Sequence, residues 1–185
     1  MVDRVFVTGM GIISAIGNGT VQTLESFIHL KSGIGKLTLF SSLHGDIPVA
    51  EVKLGNEQLA LMAGIDLSVS PCTRNTLLAT IAAEQATRNS GWKHAGEKNT
   101  GAVFATTVGG MDYNEQYYQS LLAGDEYKHL IELFDSGDCA EKVCARLGIH
   151  HHITTISTAC SSSANAILVG ARLIRNKKLQ RVLAG

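Results

Sequence analysis

The chain has 185 residues, enough for one domain with a sizeable hydrophobic core, and its 16 basic and 16 acidic residues balance, which gives no general attraction to nucleic acid or to anionic membranes. No apolar run approaches the roughly 20 residues that a membrane-spanning helix needs, and the N-terminus lacks the long apolar segment of a signal peptide. The four cysteines show neither metal-ligand nor disulfide-framework spacing, which favours a cytoplasmic protein with reduced thiols.

The chain opens with a predicted strand and a glycine-rich turn. Residues 4–9 form an apolar run, and Gly9, Gly11 and Ser14 follow at a spacing that partly matches a dinucleotide-binding turn. The match is incomplete, because a serine stands at the third position and no acidic residue ends an obvious second strand about 20 residues later. A nucleotide site is therefore the minor alternative to a structural turn.

Helical spacing of apolar residues predicts three helices over the next part of the chain. The first, over 20–32, is expected to be capped by Thr20 and to carry an apolar stripe of Val21, Leu24 and Ile28. A loop with short strand pieces over 37–54 separates it from a short helix over 56–65. The third, over 73–90, stops at Gly91 and has an apolar face of Leu77, Leu78, Ile81 and Ala82.

Residues 100–108 predict a further strand, closed by Gly109 and Gly110. Residues 111–134 then suggest two short amphipathic helices parted by Gly124, with apolar and aromatic positions at Tyr113, Tyr117, Leu121, Tyr127, Leu130, Ile131 and Phe134. Aromatic residues at that spacing are more typical of a core than of a ligand cage.

A fourth long helix is predicted from a capping-box variant made by Asp138 and Glu141, with Gly148 as its stop. Its apolar stripe is Ala140, Val143, Cys144 and Leu147. Residues 150–152 are three histidines, which could ligate a transition metal. Neighbouring side chains in an extended segment point to opposite faces, so we expect the polar start of a strand and no metal site.

The most informative stretch lies near the end of the chain. Residues 153–158 are rich in β-branched side chains and predict a short buried strand. Three serines at 161–163 then favour a helix start, since their hydroxyls can accept first-turn N–H groups. The helix is apolar nearly all round, which predicts burial, and its last turn is basic. Residues 181–185 predict the beginning of another strand.

Cys160 is thus placed on a sharp strand-to-helix turn beside a helix N-terminus. Such a position lowers the pKa of a thiol and makes a thiolate nucleophile available. The alternative is that Cys160 is an inert, small, buried hydrophobic residue.

The segment Thr-Ala-Cys-Ser-Ser-Ser at 158–163 resembles the active-site turn of the β-ketoacyl-acyl-carrier-protein synthases, the condensing enzymes of fatty-acid and polyketide synthesis. Val-Thr-Gly-Met-Gly-Ile-Ile-Ser at 7–14 and Arg-Asn-Thr-Leu-Leu-Ala at 74–79 also resemble that family, as does the order of elements along the chain. The resemblance implies an α/β thiolase-like fold with a mixed sheet and helices on both faces. It covers residues 1–185 as an N-terminal domain. The family's second half, which carries two catalytic histidines, a lysine and a glycine-rich loop, has no counterpart among these motifs.

The resemblance implies acyl transfer and decarboxylative condensation of acyl-carrier-protein thioesters with malonyl thioesters, without a cofactor. By position, Cys160 would be the nucleophile, its own N–H one oxyanion donor, and Val108 a residue lining the acyl pocket. The family forms homodimers, so a homodimer or a partner that supplies the missing half is expected. These 185 residues alone are expected to condense poorly, because the groups that stabilise the enolate are missing.

Two alternatives stay open at this point. One is a non-catalytic condensing-enzyme-like subunit that binds a carrier protein or a synthase partner. The other, within the same fold, is a thiolase or a synthase that primes carrier proteins; the wording around Cys160 favours the elongating type.

Overall fold

The computed structural model describes residues 4–92, 94–96, 99–111, 117, 118, 120, 122–124, 130 and 133–185. The helices in this part of the chain are α1 (Thr20–Ile28), α2 (Asn56–Ala63), α3 (Arg74–Asn89), α4 (Asp138–Leu147) and α5 (Ser162–Arg175). The strands are β1 (Ile34–Gly35), β2 (Val49–Ala50), β3 (Thr100–Ala105), β4 (His152–Ile156) and β5 (Arg181–Ala184). The predicted helices over 111–134 involve Tyr113, Leu121, Tyr127 and Ile131, which lie outside the described residues.

A three-stranded parallel sheet with the order β4-β3-β5 forms the centre of the fold. Side chains alternate along β3, because successive residues of a strand point to opposite faces. Ala102 and Phe104 pack with α4 in one hydrophobic cluster, which also contains Val143. On the other face, α5 approaches β5 so closely at Gly170 that an added Cβ would lie 2.9 Å from the Val182 side chain. Helices therefore cover both faces, as predicted, and the antiparallel pairing lies in the separate β1–β2 hairpin.

A second hydrophobic cluster joins α2 to α3 and contains Leu59, Ala60, Ala63, Cys72, Leu77 and Ile81. The predicted ends of α3 are confirmed. The Thr73 hydroxyl accepts a hydrogen bond from the Thr76 N–H at 3.2 Å, and Gly91 takes the left-handed conformation (φ +70°) that ends the helix.

The N-terminal segment differs from its prediction, because residues 4–9 belong to no strand. A ladder needs a neighbouring strand, and none pairs with this segment among the residues that the structure describes. The glycines that follow it serve close packing on α3. A Cβ on Gly11 would lie 1.9 Å from the Ala82 carbonyl oxygen, and one on Gly9 would lie 2.3 Å from that of Ala86. This contact explains the spacing of the two glycines without a nucleotide.

Helix α1 also corrects the sequence analysis. It ends at Ile28, four residues earlier than expected, and its N-cap is Gly19. The predicted apolar stripe faces outward, with Val21, Leu24 and Ile28 exposed by 69%, 59% and 67%. The buried positions are Thr23 and Ser26, whose hydroxyls donate to the carbonyls of Gly19 (2.8 Å) and Ile16 (2.6 Å). Hydrogen bonding to the preceding turn thus decided which face of α1 lies inward.

Helix α4 occupies the predicted position, although its start is different. Gly137 is the N-cap, so the capping box is absent, and Asp138 forms an ion pair with Lys142 at 2.8 Å. Gly148 ends the helix with φ +70°, as expected. His152 is the first residue of β4, which agrees with the predicted strand start. No group of three or more potential metal ligands occurs within the described residues. Within the same residues, no helix is both long and apolar enough to cross a bilayer.

Candidate active site

Cys160 lies between β4 and α5, in a single 3-10 turn formed by Ala159–Ser161. The strand ends at Ile156 and the helix begins at Ser162, so only five residues separate the strand from the helix. We call residues 157–162 the elbow. Its position on a strand-to-helix turn confirms the sequence prediction, and the Cys160 side chain is exposed there. The alternative, in which Cys160 is a small, buried hydrophobic residue, is therefore wrong.

The elbow contains a strained backbone conformation directly before the cysteine. Ala159 has φ +53°, in the left-handed region that a residue with a Cβ rarely adopts. Such a residue costs about 1 kcal/mol or more and persists only where its surroundings hold it. A sharp, strained turn between a strand and a helix is also how nucleophile turns expose a side chain at the edge of a sheet.

Several polar side chains hold Ala159 in this conformation. The Ser162 hydroxyl donates to the Ala159 carbonyl at 2.7 Å and accepts from the Thr158 N–H at 2.8 Å. The Thr107 hydroxyl, from the loop after β3, reaches the same carbonyl at 3.5 Å. The Asn165 amide donates to the Thr158 hydroxyl at 2.9 Å. Sequence analysis missed Thr107 and Asn165; the signal for Asn165 was its position four residues after Ser161, on the same side of the helix.

The serine hydroxyls were expected to accept N–H groups of the first helical turn, and this prediction is wrong for Ser161 and Ser162. Ser161 is the N-cap of α5, yet its side chain makes no cap hydrogen bond. Its hydroxyl donates backwards to the Thr158 carbonyl at 2.8 Å, and the Ser162 hydroxyl bonds within the elbow. The serine hydroxyls therefore stabilise the turn that carries Cys160 by bonding to its own peptide groups.

Val108 lies in the loop that follows β3, and this loop borders the elbow. The Thr106 N–H donates to the Ile156 carbonyl at 3.1 Å, and Thr107 contacts Ala159 as described. Val108 is 55% exposed and follows these contacts directly. The strand itself ends at Ala105, three residues before the predicted end. Gly109 then turns the chain with φ +58°. Val108 thus lies in a loop that borders the elbow through Thr107, and it is open to solvent.

The other three cysteines are in a different environment, since Cys72, Cys139 and Cys144 are all buried. Burial raises the pKa of Cys139 to about 11 and that of Cys144 to about 12. Burial is also the main cause of the raised pKa of Cys72. All three thiols are held neutral at physiological pH, which leaves Cys160 as the accessible thiol.

Helix α5 is less buried than its composition predicted. Ser162, Ala166 and Gly170 form its buried face, while Ile167 and Leu168 are exposed by 59% and 43%. Strand β4 is only half-buried as well, because Ile153 is 38% exposed on the opposite face of the sheet, where it lies with Ala140 and Glu141 of α4. The exposed face of α5 beyond the elbow therefore carries apolar side chains.

Comparison with known proteins agrees with the family resemblance found in the sequence. The family model described as "Beta-ketoacyl synthase, N-terminal domain" matches residues 2–185. Nodulation protein E of Rhizobium meliloti is 30% identical over 198 residues, which cover 98% of this chain and 46% of that protein. 3-Oxoacyl-[acyl-carrier-protein] synthase 2 of Coxiella burnetii is 26% identical over 190 residues, which cover 98% of this chain and 45% of that protein. The chain thus spans a little less than half the length of these curated relatives.

A solved structure, the ishigamide ketosynthase/chain length factor, superposes with a TM-score of 0.75 at 22% identity. The superposition covers 94% of this chain and 44% of that chain. At this identity the likeness establishes the fold alone, which is the thiolase-like fold of ketosynthases.

Proposed function

The chain belongs to the β-ketoacyl synthase family, as its N-terminal domain, and we propose that Cys160 is the nucleophile of a decarboxylative condensing enzyme. The Cys160 thiolate attacks the carbonyl of an acyl-carrier-protein thioester, forms an acyl-cysteine and releases the carrier thiol. A malonyl thioester then loses CO₂, and the carbon of the resulting enolate attacks the acyl-cysteine. The Cys160 thiolate leaves, and the product on the carrier protein is longer by two carbons.

The observation that carries this proposal is the exposed Cys160 thiol on the strained elbow. A nucleophile must be reachable by a bulky thioester and must be held in one orientation, because misplacement by about 1 Å can cost a hundredfold in rate. Exposure of the side chain meets the first requirement. The hydrogen bonds of Ser162 and Thr107 to the Ala159 carbonyl meet the second.

The proposal extends to a protein of about twice this length, in which residues 1–185 form the N-terminal half. This proportion is supported by the relatives, of which the chain covers 45% and 46%. The enolate-stabilising histidines would come from the second half. The open apolar residues Ile167 and Leu168 beside the elbow support a surface that such a half would cover.

The partners we propose are an acyl carrier protein as thioester donor and a second copy of the chain or a related subunit. The carrier protein is supported by the name of the Coxiella relative, a synthase acting on acyl carrier protein. Strand β4 lies at the edge of its sheet and supports pairing between subunits, since an edge strand has an open row of backbone groups. Reduced, free thiols at all four cysteines support a cytoplasmic location.

Val108 is proposed to line the acyl pocket. Its support is the contact between its loop and the elbow through Thr107. A Val108→Trp replacement should then slow acylation of Cys160 by long acyl thioesters more than by acetyl thioesters. Equal rates for both lengths would contradict this role.

The test of the main proposal is direct acylation. The chain is incubated with hexanoyl-carrier protein, and the acyl adduct is located by peptide mass spectrometry. We expect one adduct, on Cys160, that is absent from the Cys160→Ser variant and retained in Ser163→Ala, a neighbouring exposed serine. Absence of an adduct in the unsubstituted chain, or acylation of another cysteine in its place, would contradict the proposal.

A second candidate function is that of a condensing-enzyme-like subunit that binds its partners without catalysis. It is favoured by the ishigamide structure, whose name joins a ketosynthase with a chain length factor. The acylation test separates the two functions, because a subunit of this kind has no need to accept an acyl group on Cys160.

A further inference from the structure

Ser162 carries a buried hydroxyl that joins two peptide groups of the elbow. The residue is 4% exposed, and its hydroxyl oxygen accepts from the Thr158 N–H at 2.8 Å. The same hydroxyl donates to the Ala159 carbonyl at 2.7 Å. The hydroxyl thus both donates and accepts a hydrogen bond within residues 158–162, and the two bonds together hold this turn in one conformation. Its two bonds enclose Ala159, the residue with φ +53°.

The orientation of one peptide plane follows from these bonds. The Ala159 carbonyl and the Cys160 N–H belong to the same peptide unit, and no cis peptide bond occurs in the described chain. In a trans peptide the C=O and the N–H point in opposite directions. Because the carbonyl also accepts the Ser162 N–H, it points along α5. The Cys160 N–H therefore points out of the start of the helix, away from Ser162.

We propose that Ser162 is a positioning residue, whose hydroxyl holds the Ala159–Cys160 peptide so that the Cys160 N–H can donate to the oxyanion of the acyl-transfer step. This inference rests on the proposed function of Cys160. In that step the Cys160 Sγ–C bond forms and the carbonyl π electrons move to oxygen. The intermediate then collapses, the bond to the departing sulfur breaks, and the carrier thiolate takes a proton from solvent. A preorganised N–H is most valuable where that negative charge develops.

Loss of the hydroxyl should release this orientation. Alanine strongly prefers negative φ, so Ala159 remains at φ +53° only while its neighbours hold it. Without the Ser162 hydroxyl, the Ala159 carbonyl keeps the backbone bond from the Ser162 N–H, and its remaining side-chain donor within the described residues is Thr107, at the longer distance of 3.5 Å. The peptide then rotates more freely, and the Cys160 N–H spends less time directed at the acyl oxygen.

The experiment compares two reactions of the same thiol in the full 185-residue chain. Acylation by hexanoyl-N-acetylcysteamine builds an oxyanion, whereas alkylation by iodoacetamide displaces iodide and builds none. We expect Ser162→Ala to slow acylation of Cys160 about 10- to 100-fold, which is less than the roughly 100- to 1,000-fold loss when an oxyanion donor is removed outright, because the Cys160 N–H is still present. Alkylation of Cys160 should change by less than about twofold, since it needs no such donor. Ser162→Thr, which keeps the hydroxyl, should restore acylation, and Ser163→Ala should react like the unsubstituted chain.

A second variant keeps the proposal testable if Ser162→Ala does not fold. Thr107→Val preserves shape at an exposed position and removes the weaker donor, so it should slow acylation several-fold and leave alkylation unchanged. Unchanged acylation in whichever variants fold overturns the role of Ser162 and leaves that of Cys160 intact. Equal loss of both reactions overturns it as well, because the hydroxyl then only maintains the fold. An unsubstituted chain that is alkylated but never acylated overturns the proposed function and this inference together.

Discussion

Selective alkylation of Cys160 tests how the fold distributes its four thiols. The perturbation is iodoacetamide added to the folded chain at pH 7.5, where the thiolate is the reacting species. Burial raises the pKa of Cys139 to about 11 and that of Cys144 to about 12. Because each pH unit below the pKa lowers the thiolate fraction tenfold, that fraction is about 3 × 10⁻⁴ for Cys139 and about 3 × 10⁻⁵ for Cys144.

These fractions set the expected selectivity. A cysteine in a short peptide, with a pKa near 8.5, is roughly one-tenth thiolate at the same pH. Burial alone therefore slows Cys139 about 300-fold and Cys144 about 3,000-fold relative to such a peptide, before the reagent's access to the sulfur is considered. The pKa of Cys72 moves in the same direction for the same reason. We expect labelling of the exposed Cys160 to be complete while the three buried thiols remain unmodified.

The assay is a time course followed by peptide mass spectrometry. Unfolding in concentrated guanidinium chloride is the control, since all four thiols should then react at similar rates. The Cys160→Ser variant should leave only the slow phase. Labelling of Cys139 or Cys144 at the rate of Cys160 in the folded chain would refute the reasoning from burial.

Three other outcomes are expected. Gly11→Ala places a methyl group 1.9 Å from the Ala82 carbonyl oxygen and should lower the free energy of unfolding in urea by about 2 kcal/mol. Gly35→Ala is the control, because its methyl group meets open space and should leave the stability nearly unchanged. Equal stabilities of the two variants would contradict the packing role of Gly11. The free energy of unfolding should fall above about pH 8.5, by up to about 1.4 kcal/mol per thiol and pH unit. The reason is that the unfolded chain loses thiol protons that Cys139 and Cys144 keep in the native state. A free energy of unfolding that stays constant up to pH 10 would contradict this. The exposed apolar faces of α1 and α5 should make the isolated chain self-associate, which a concentration-independent monomer in light scattering would disprove.

The local features of the fold could be predicted from neighbouring residues. Thr73 and Gly91 fixed the ends of α3, and Gly148 fixed the end of α4, because caps and left-handed stops act within a single turn. The position of Cys160 on a strand-to-helix turn followed from β-branched residues before it and helix-forming residues after it. Each of these signals operates over a few residues, so the sequence alone was sufficient.

Several of the predictions that were wrong concerned what lies against an element once the chain has folded. Residues 4–9 have the composition of a strand, but a strand exists only where another pairs with it. Val21 and Leu24 have the spacing of a buried face, yet Thr23 and Ser26 are the buried positions of α1. Helix α5 looked buried on all sides, although the described chain covers only the face that packs on the sheet.

The sequence by itself determined the family, the order of the main helices and strands after residue 19, and the place of Cys160, because local spacing and short motifs are enough to identify them. Only the tertiary structure decided which thiol is exposed and which three are buried neutral, since burial depends on how α2, α3 and α4 pack together. The tertiary structure also decided that the serine hydroxyls form hydrogen bonds within the elbow and do not cap the helix. A hydroxyl bonds to the nearest suitably oriented partner, and that partner is defined only when the backbone of Ala159 takes its left-handed conformation.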